Sequence, residues 1–299
     1  MSRKGVILAG GSGTRLSPLT VAVSKQILPV YDKPMIYYPL TTLMLAGIRE
    51  MLIISTPRDT PRFQELLGDG SQWGLDIAYE VQDQPRGIAE ALVIGAGFIG
   101  ESPAALVLGD NLFFGHGLTG VLADANNRRD LATIFTYRVK NPERYGVVQL
   151  AADGSVARIV EKPVKPPSHL AVTGLYFYPA GVADVARQIE PSSRDELEIT
   201  AVNNWYLERG LLQMKVLHRG FAWLDTGTHE ALHQAASFVQ TVQERQGLLV
   251  ASPDEIAWRL GYIDAQALLV TAKALGASDY AMYLESLVAE AGNGGNDVH

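Results

Sequence analysis

The stretch Lys4-Gly5-Val6-Ile7-Leu8-Ala9 runs straight into Gly10-Gly11-Ser12-Gly13-Thr14-Arg15-Leu16. A short apolar run that ends in glycines reads as a buried strand opening into a tight turn. Glycines in that place let the backbone approach a phosphate and aim its N–H groups at it. Two familiar templates do not fit. A dinucleotide fingerprint needs a third glycine where Leu16 stands, and a P-loop needs Gly-Lys followed by Ser or Thr. A bare glycine-rich turn is as often structural as functional. Arg15 and Lys25 shift the balance, because two cations beside such a loop can neutralise a triphosphate. The plainer reading makes both of them solvated surface charges.

Strand-like and helix-like segments alternate downstream. Asp32-Lys33-Pro34 opens a helix running to about Ala46, with Gly47 as its stop. Glu50–Ser55 reads as a strand, Thr60-Pro61 as the start of a helix ending near Gly68, and Leu75–Val81 as a strand. Ile88–Phe98 is helical, Ala104–Leu108 a strand, Gly117–Arg128 helical and Leu131–Arg138 a strand. This alternation predicts helices on both faces of a largely parallel sheet. Tyr145–Leu150 and Val156–Glu161 form a hairpin turning at Asp153-Gly154. Ala171–Tyr178, Leu212–Leu217 and Phe221–Leu224 are strands that continue the sheet, and Glu198–Glu208 is a helix. Thr228 can cap a helix to about Gln246, followed by helices at Asp264–Ala274 and Ser278–Ala289 and a mobile tail from Gly292 to His299. The expected fold is α/β: a Rossmann-like mixed, largely parallel sheet flanked by helices, with a C-terminal helical extension. Residues 1–227 form the core, divided near residue 140 into a nucleotide half and a sugar-phosphate half. Residues 228–291 form the helical region and 292–299 the tail.

Composition narrows the class. A chain of 299 residues allows one large α/β domain with an appendage or two modest domains, and 47% hydrophobic residues is ordinary for a folded soluble protein. No apolar stretch approaches the roughly 20 residues of a membrane span. Val6–Ala9 is too short for the apolar part of a signal peptide. The absence of cysteine excludes disulfides, thiolate nucleophiles and thiolate metal sites. A cytoplasmic protein without membrane contact is the expectation. The net charge of −7 argues against nucleic-acid partners, so an anionic substrate needs a local basic cluster.

Two aspartates stand at strand ends: Asp110 after Ala104–Leu108 and Gly109, and Asp225 after Phe221–Leu224. Ligands of open α/β sheets sit beyond the carboxyl ends of strands. Two carboxylates there could share a magnesium ion, which prefers few protein oxygens plus phosphate and water. Each could equally be a cap or turn residue. In Glu161-Lys162-Pro163, Glu161 could accept bonds from sugar hydroxyls and Lys162 could hold a phosphate, or the two form an exposed ion pair. Arg194 could clamp phosphate or merely lie near a helix start.

Leu8–Leu16, the run Ser24-Lys25-Gln26-Ile27-Leu28-Pro29-Val30-Tyr31-Asp32-Lys33-Pro34-Met35-Ile36-Tyr37-Tyr38-Pro39-Leu40, Leu108–Asn111, Pro142–Val148, Glu161–Pro163, Val172–Tyr178, Glu196–Thr200 and Trp223–Thr228 together resemble one family. The chain is similar, from about residue 3 to about residue 290, to glucose-1-phosphate thymidylyltransferases. These are sugar nucleotidyltransferases that make dTDP-glucose and pyrophosphate from dTTP and glucose 1-phosphate, the first step toward dTDP-deoxysugars such as dTDP-L-rhamnose. The resemblance implies that Leu8, Ala9, Gly10, Gly11, Ser12, Gly13, Thr14, Arg15, Gln82, Gly87, Gly109 and Asp110 surround the nucleotide, with Gln82 on the base. It implies catalytic roles for Arg15, Lys25 and Lys162, and magnesium on Asp110 and Asp225. Tyr145, Gly146, Glu161, Lys162, Val172, Tyr176 and Arg194 would hold the sugar phosphate. It further implies a homotetramer with a feedback site for a dTDP-sugar at a subunit interface, matched by Phe114, Gly115, His116, Arg219, Glu255, Ile256 and Arg259. Two departures stand out: Arg86 where relatives often have aspartate, and Ala201 where they often have aspartate within Thr-Asp-Val.

The inventory holds no obvious Ser-His-Asp set and no thiol. It suits direct attack by a sugar phosphate, mostly dianionic at neutral pH because its second pKa is about 6. The rivals are a uridylyl- or other nucleotidyltransferase, a non-catalytic nucleotide sensor, and a dinucleotide-dependent oxidoreductase. The retained cations and aspartates disfavour the sensor, and Leu16 disfavours the oxidoreductase.

Overall fold

The computed structural model describes residues 1–11 and 13–292. Ser12 of the expected phosphate loop and residues 293–299 of the expected tail lie outside the described residues. The strands are β1 (Lys4–Leu8), β2 (Pro29–Val30), β3 (Lys33–Pro34), β4 (Glu50–Ser55), β5 (Asp76–Val81), β6 (Ala104–Leu108), β7 (Asn111–Gly115), β8 (Ala132–Arg138), β9 (Gly146–Leu150), β10 (Val156–Glu161), β11 (Leu170–Tyr178), β12 (Leu212–Leu217) and β13 (Phe221–Asp225). The helices are α1 (Tyr37–Leu45), α2 (Thr60–Leu67), α3 (Glu90–Ile94), α4 (Ala96–Ile99), α5 (Leu118–Asn127), α6 (Val182–Arg187), α7 (Ile199–Glu208), α8 (His229–Gln246), α9 (Pro253–Arg259), α10 (Ala265–Ala274) and α11 (Asp279–Gly292).

The central sheet is mixed. β1 lies between β4 and β6, parallel to both, and β5 extends that parallel group beyond β4. β11 joins it antiparallel to β6, and β8, paired with β11, carries β12 in parallel. Side chains alternate faces along a strand, and the core divides accordingly. Ile7, Met51, Ile53, Ala105 and Val107 enter one apolar cluster, with Phe63 and Leu122 from the helices above. Val6, Leu52, Ile54, Ala104 and Leu106 enter the opposite cluster, with Leu92, Val182 and Val202. Both faces are covered, as the near-continuous apolar strands require.

β11 shapes the site. Its register slips between Val172 and Tyr176. Tyr176 is paired with Leu106 of β6 on one edge and Ile134 of β8 on the other. Ala171 is paired with Tyr137 of β8 and Val147 of β9. β6 and β9 therefore share one edge of β11, end to end, and the sheet parts between them. Gly174 sits at the parting, and its N–H donates to Asn111 Oδ1 at 3.1 Å.

Several boundaries depart from the sequence expectations. The helix expected from Asp32 begins instead at Tyr37. Tyr31 has φ 63°, and Pro29–Val30 and Lys33–Pro34 close a small hairpin around it. Lys33 is buried there, on Asp32 Oδ1 at 2.5 Å and Gln243 Oε1 at 3.0 Å, so its partners rather than helix signals decide this segment. The helix expected at Ile88–Phe98 divides at Gly95 into α3 and α4. β7, α6 and α9 were not foreseen. Gly292, expected in the tail, closes α11. The hairpin β9–β10 and the Thr228 cap of α8, bonded to Ala231 N at 3.2 Å, match their expectations.

Arg3 ties the chain start to the sheet. Its guanidinium donates to the carbonyls of Ala104 at 2.9 Å, Tyr178 at 2.6 Å and Arg128 at 2.9 Å, and Nε donates to Asn126 Oδ1 at 3.0 Å. Burial, reinforced by Arg129, lowers its pKa to about 10. Arg3→Ala leaves those acceptors without a donor and should cost about 2–4 kcal/mol in urea denaturation. A loss below about 1 kcal/mol would mean that water replaces the side chain.

Candidate active site

The turn after β1 is built on close approaches. An added Cβ at Gly10 would lie 2.8 Å from Gln82 Oε1, and one at Gly109 would lie 3.0 Å from Leu8 O. Leu8, Ala9, Gly10 and Gly109 therefore form a tight floor. Gly11 and Gly13 take φ 103° and 60°, a region costly for other residues. Leu16, which replaces the third glycine of a dinucleotide fingerprint, is buried and anchors the short helical turn Thr14–Leu16. Arg15 is exposed and has no ion-pair partner among the described residues. Its guanidinium lies over Gly227, where an added Cβ would come within 3.6 Å of it.

Asp110 and Asp225 are brought together by the ribbon β7–β13, which pairs Asn111 with Asp225. Thr226 donates its hydroxyl to Asp110 O at 2.9 Å and fastens the ribbon's end. Lys25 pairs directly with Asp110, whose other oxygen accepts Asn111 Nδ2 at 2.9 Å. Burial works to raise the Asp110 carboxyl, but Lys25 and these hydrogen bonds hold it below its ordinary pKa. Asp225 goes the other way. Burial and then the charge of Asp110 raise it, against Lys25, Arg144 and Arg15. Its nearest cation is Arg144, at 3.8 Å. Tyr145 feels the same field: burial, then Asp225, pushes its phenol up to about 12. Two carboxylates held where one resists ionising make an all-oxygen donor pair that a divalent cation would relieve. No cluster of three or more His, Cys, Asp or Glu suited to a metal occurs among the described residues. Asp110 and Asp225 could hold a divalent cation that takes its remaining ligands from phosphate and water.

The sugar-side residues gather where the sheet parts. A cavity of about 250 Å³ is lined by Arg15, Asp110, Arg144, Tyr145, Gly146, Glu161, Lys162, Val172, Tyr176, Thr200 and Asp225, among others. Glu161 accepts from Thr200 Oγ1 at 2.5 Å, and an added Cβ at Gly146 would lie 3.0 Å from that hydroxyl. Lys162 has φ 40°, a costly conformation for a lysine, at the point where β10 ends. Its ammonium stands 3.7 Å from Glu161 and half exposed, so it is not a closed ion pair. Arg194 is engaged elsewhere, on Glu198 at 2.6 Å, Glu196 at 3.3 Å and Glu161 at 3.6 Å. It borders the sugar side through Glu161 rather than lining that cavity.

Two more cavities follow it in a row, each sharing lining residues with the one before. One of about 260 Å³ is lined by Gly11, Gly13, Thr14, Arg15, Lys25, Pro85 and Gly227, among others. The next, about 270 Å³, is lined by Gly11, Thr56, Arg58, Asp59, Gln82, Asp83 and Pro85. Gly87, two residues past Pro85, lines neither of these cavities; it has φ 108° and lies so close to Leu197 that a Cβ would fall 2.4 Å from its carbonyl oxygen. Arg86, the first departure, pairs with Glu90 at 2.9 Å. Ala201, the second, lies in the first turn of α7 beside Thr200. The seven residues matched to an interface site lie apart from this cleft. Phe114 and Gly115 are on β7, His116 follows them, Arg219 is in the turn before β13, and Glu255, Ile256 and Arg259 are on α9. α1 packs against both β7 and α9. Glu255 accepts from Arg259 at 2.7 Å and Tyr283 at 2.9 Å.

Sequence reasoning gave no role to Arg144, Asn111, Thr226 or Glu90. Arg144 and Asn111 stand inside recognisable segments, but only the ribbon and the parted sheet show that they face the aspartates. Asn111 Oδ1 accepts from Trp223 Nε1 at 2.6 Å as well as from Gly174, so it pins β13 to β11.

The raised Asp225 carboxyl carries a stability consequence. Its folded pKa lies above its unfolded value, so its charge costs stability at neutral pH and costs nothing below about pH 4. Asparagine keeps the acceptor for Gly227 N–H, which now donates to Asp225 Oδ1 at 3.1 Å. In magnesium-free buffer, Asp225→Asn should raise the melting temperature at pH 7 by a few degrees, and the gain should vanish as the pH falls to about 4. An equal or lower melting temperature at pH 7 would show that Asp110 places no burden on Asp225.

The nucleotidyl transferase family model matches residues 4–242. The glucose-1-phosphate thymidylyltransferase of Xanthomonas campestris pv. campestris is 58% identical over 95% of this chain and 97% of its own. That of Neisseria meningitidis is 54% identical over 95% and 99%. Among solved structures, one described as a glucose-1-phosphate thymidylyltransferase, from Bacillus anthracis with sucrose, is 37% identical with TM-score 0.74 over 79% of this chain and 95% of its own. A UDP-glucose pyrophosphorylase with UDP-glucose is 25% identical with TM-score 0.71 over 81% and 99%. Such identity along nearly the whole chain establishes that the chain belongs to the nucleotidyl transferase family and, within it, to the glucose-1-phosphate thymidylyltransferases.

Proposed function

We propose that the protein transfers a thymidylyl group from dTTP to α-D-glucose 1-phosphate, giving dTDP-glucose and pyrophosphate. The observation that carries this reading is the chain of three cavities. Gly11 joins the Gln82 cavity to the cation-lined one, and Arg15 joins that one to the Glu161–Lys162 cavity. Base, triphosphate and sugar phosphate fit in that order, with Arg15 at the point where two anions must meet.

The reaction needs no protein nucleophile. A phosphate oxygen of the sugar attacks the α-phosphorus, and the bond to pyrophosphate breaks with inversion. The obstacle is bringing two anions together while negative charge develops on the leaving group. Arg15 and the loop N–H groups face that charge, and Lys25 stands beside them. Lys162, aided by Arg144, holds the attacking phosphate, and Glu161 with Gly146 receives the sugar. Val172 and Tyr176 form its apolar wall. Asp110 and Asp225 would hold the magnesium ion, which neutralises phosphate charge when bound. Arg194 first has to leave its carboxylate partners if it is to grip phosphate.

The residues of this cleft fall within 1–227, which supports assigning catalysis to that segment and packing and assembly to residues 228–291. No helix among the described residues is long and apolar enough to cross a membrane, in keeping with work in the cytoplasm. Val270, Leu275 and Met282 are exposed on the C-terminal helices and supply apolar surface for a homotetramer. The Phe114 to Arg259 set, on either side of α1, is the proposed place for a feedback dTDP-sugar, and the product would enter dTDP-deoxysugar synthesis.

Pyrophosphate release with a panel of triphosphates and sugar 1-phosphates tests the reading. dTTP with glucose 1-phosphate should be best. UTP should follow at about 10–200-fold lower efficiency, since one methyl group separates the bases. Preference for ATP or GTP would overturn it. Arg15→Ala should lower kcat by about 10²–10³-fold while leaving the melting temperature unchanged, because the side chain is exposed and has no ion-pair partner among the described residues. A near-normal rate would remove Arg15 from the chemistry.

A further inference from the structure

The Gln82 side chain is aimed by its neighbours. It follows β5 directly, is only 4% exposed, and its backbone N–H is fixed on Ser55 O at 2.8 Å. Its Nε2 donates to Glu90 Oε2 at 2.7 Å. Glu90, 7% exposed at the start of α3, receives Arg86 Nε on its other oxygen at 2.9 Å. The backbone of Arg86 is held in turn, because Leu197 N donates to its carbonyl at 2.8 Å and Gly87 presses against Leu197.

This arrangement leaves the amide one orientation. An ionised carboxylate only accepts hydrogen bonds, so the NH₂ group of Gln82 must face Glu90 and Oε1 must face the other way. Arg86 Nε donates to the other Glu90 oxygen and so leaves Oε2 to accept from the amide. The amide oxygen then points toward Gly10, which has no Cβ to cover it, and among the described residues nothing donates to it. Gln82 also lines the cavity proposed above for the base.

Resting on that assignment of the cavity, we propose that Glu90 and Arg86 are positioning residues for base selection. They make Gln82 present a fixed acceptor, so the site reads a ring N–H. Thymine and uracil carry a hydrogen on N3, whereas cytosine has a lone pair there and meets the Gln82 oxygen with repulsion. Recognition is thereby set by a carboxylate that never touches the base. Without the Glu90 charge the amide is free to turn over and offer its NH₂ group, which suits cytosine.

Calorimetric binding of dTTP and dCTP, each without sugar phosphate, tests this apart from turnover. The wild-type protein should bind dTTP more tightly. In Glu90→Gln the dTTP/dCTP affinity ratio should fall by about tenfold, through weaker dTTP binding and unweakened dCTP binding, because one oriented hydrogen bond is lost. Steady-state assays should place the loss in KM for dTTP, with kcat within about twofold of wild type. Arg86→Ala, at a side chain 59% exposed, should keep the fold and lower the ratio about threefold. A ratio unchanged in both variants overturns the proposal, as does an equal loss for dTTP and dCTP. If dTTP binds selectively yet no transfer to glucose 1-phosphate occurs, the assigned reaction fails and the positioning role of Glu90 stands.

Discussion

Two buried carboxylates are forced to share one corner of the cleft. Asp110 ends the β6 side and Asp225 ends β13, and the ribbon β7–β13 leaves them no freedom to separate. Lys25 answers the first charge directly, and the second is answered from farther off, by Arg144 at 3.8 Å together with Lys25 and Arg15. In a ligand-free state this arrangement costs stability. Much of the surrounding structure serves to hold it. Asn111 bonds the ribbon to β11, Thr226 locks its end to Asp110 O, and Gly227 N–H reaches back to Asp225. The parting of the sheet at Gly174 gives the pair an open side.

The cations around that corner are not equivalent. Lys25 is already committed to Asp110, and Arg194 to Glu198 and its neighbours. Arg15 alone joins two cavities and, among the described residues, carries no ion pair. A protein with net charge −7 cannot attract a triphosphate through its overall field. It can do so locally if uncommitted cations face the cleft and the carboxylates there turn toward a metal ion. The division between committed and free cations is what a charge count along the chain hides.

How far the site could be read in advance follows from the range of the signals. The strand-turn at Lys4–Leu16 and the aspartates after Leu108 and Leu224 stand in local patterns, so their places were legible. The helix expected at Asp32-Lys33-Pro34 failed for the opposite reason. Proline and the following apolar run are real helix signals, but Lys33 is buried against Gln243, 210 positions away, and no local pattern contains that partner. β7 is not legible in the sequence because Asn111–Gly115 is short and acquires its identity from pairing with β13. The roles of Arg144 and Glu90 were hidden likewise. Each acts on a residue that tertiary packing delivers.

By itself the sequence determined the class of the protein: alternating apolar segments that require a two-faced sheet, a glycine turn fit for phosphate, and the residue runs that mark the family. Those properties depend on periodicity and on backbone freedom, which neighbouring residues control. The tertiary structure alone decided that Asp110 meets Asp225, that Arg15, unlike Arg194, has no ion-pair partner among the described residues, and that Glu90 turns the Gln82 amide. Electrostatic and hydrogen-bonding relations depend on distances of a few ångströms between residues far apart in the chain, and only the packed fold sets those distances.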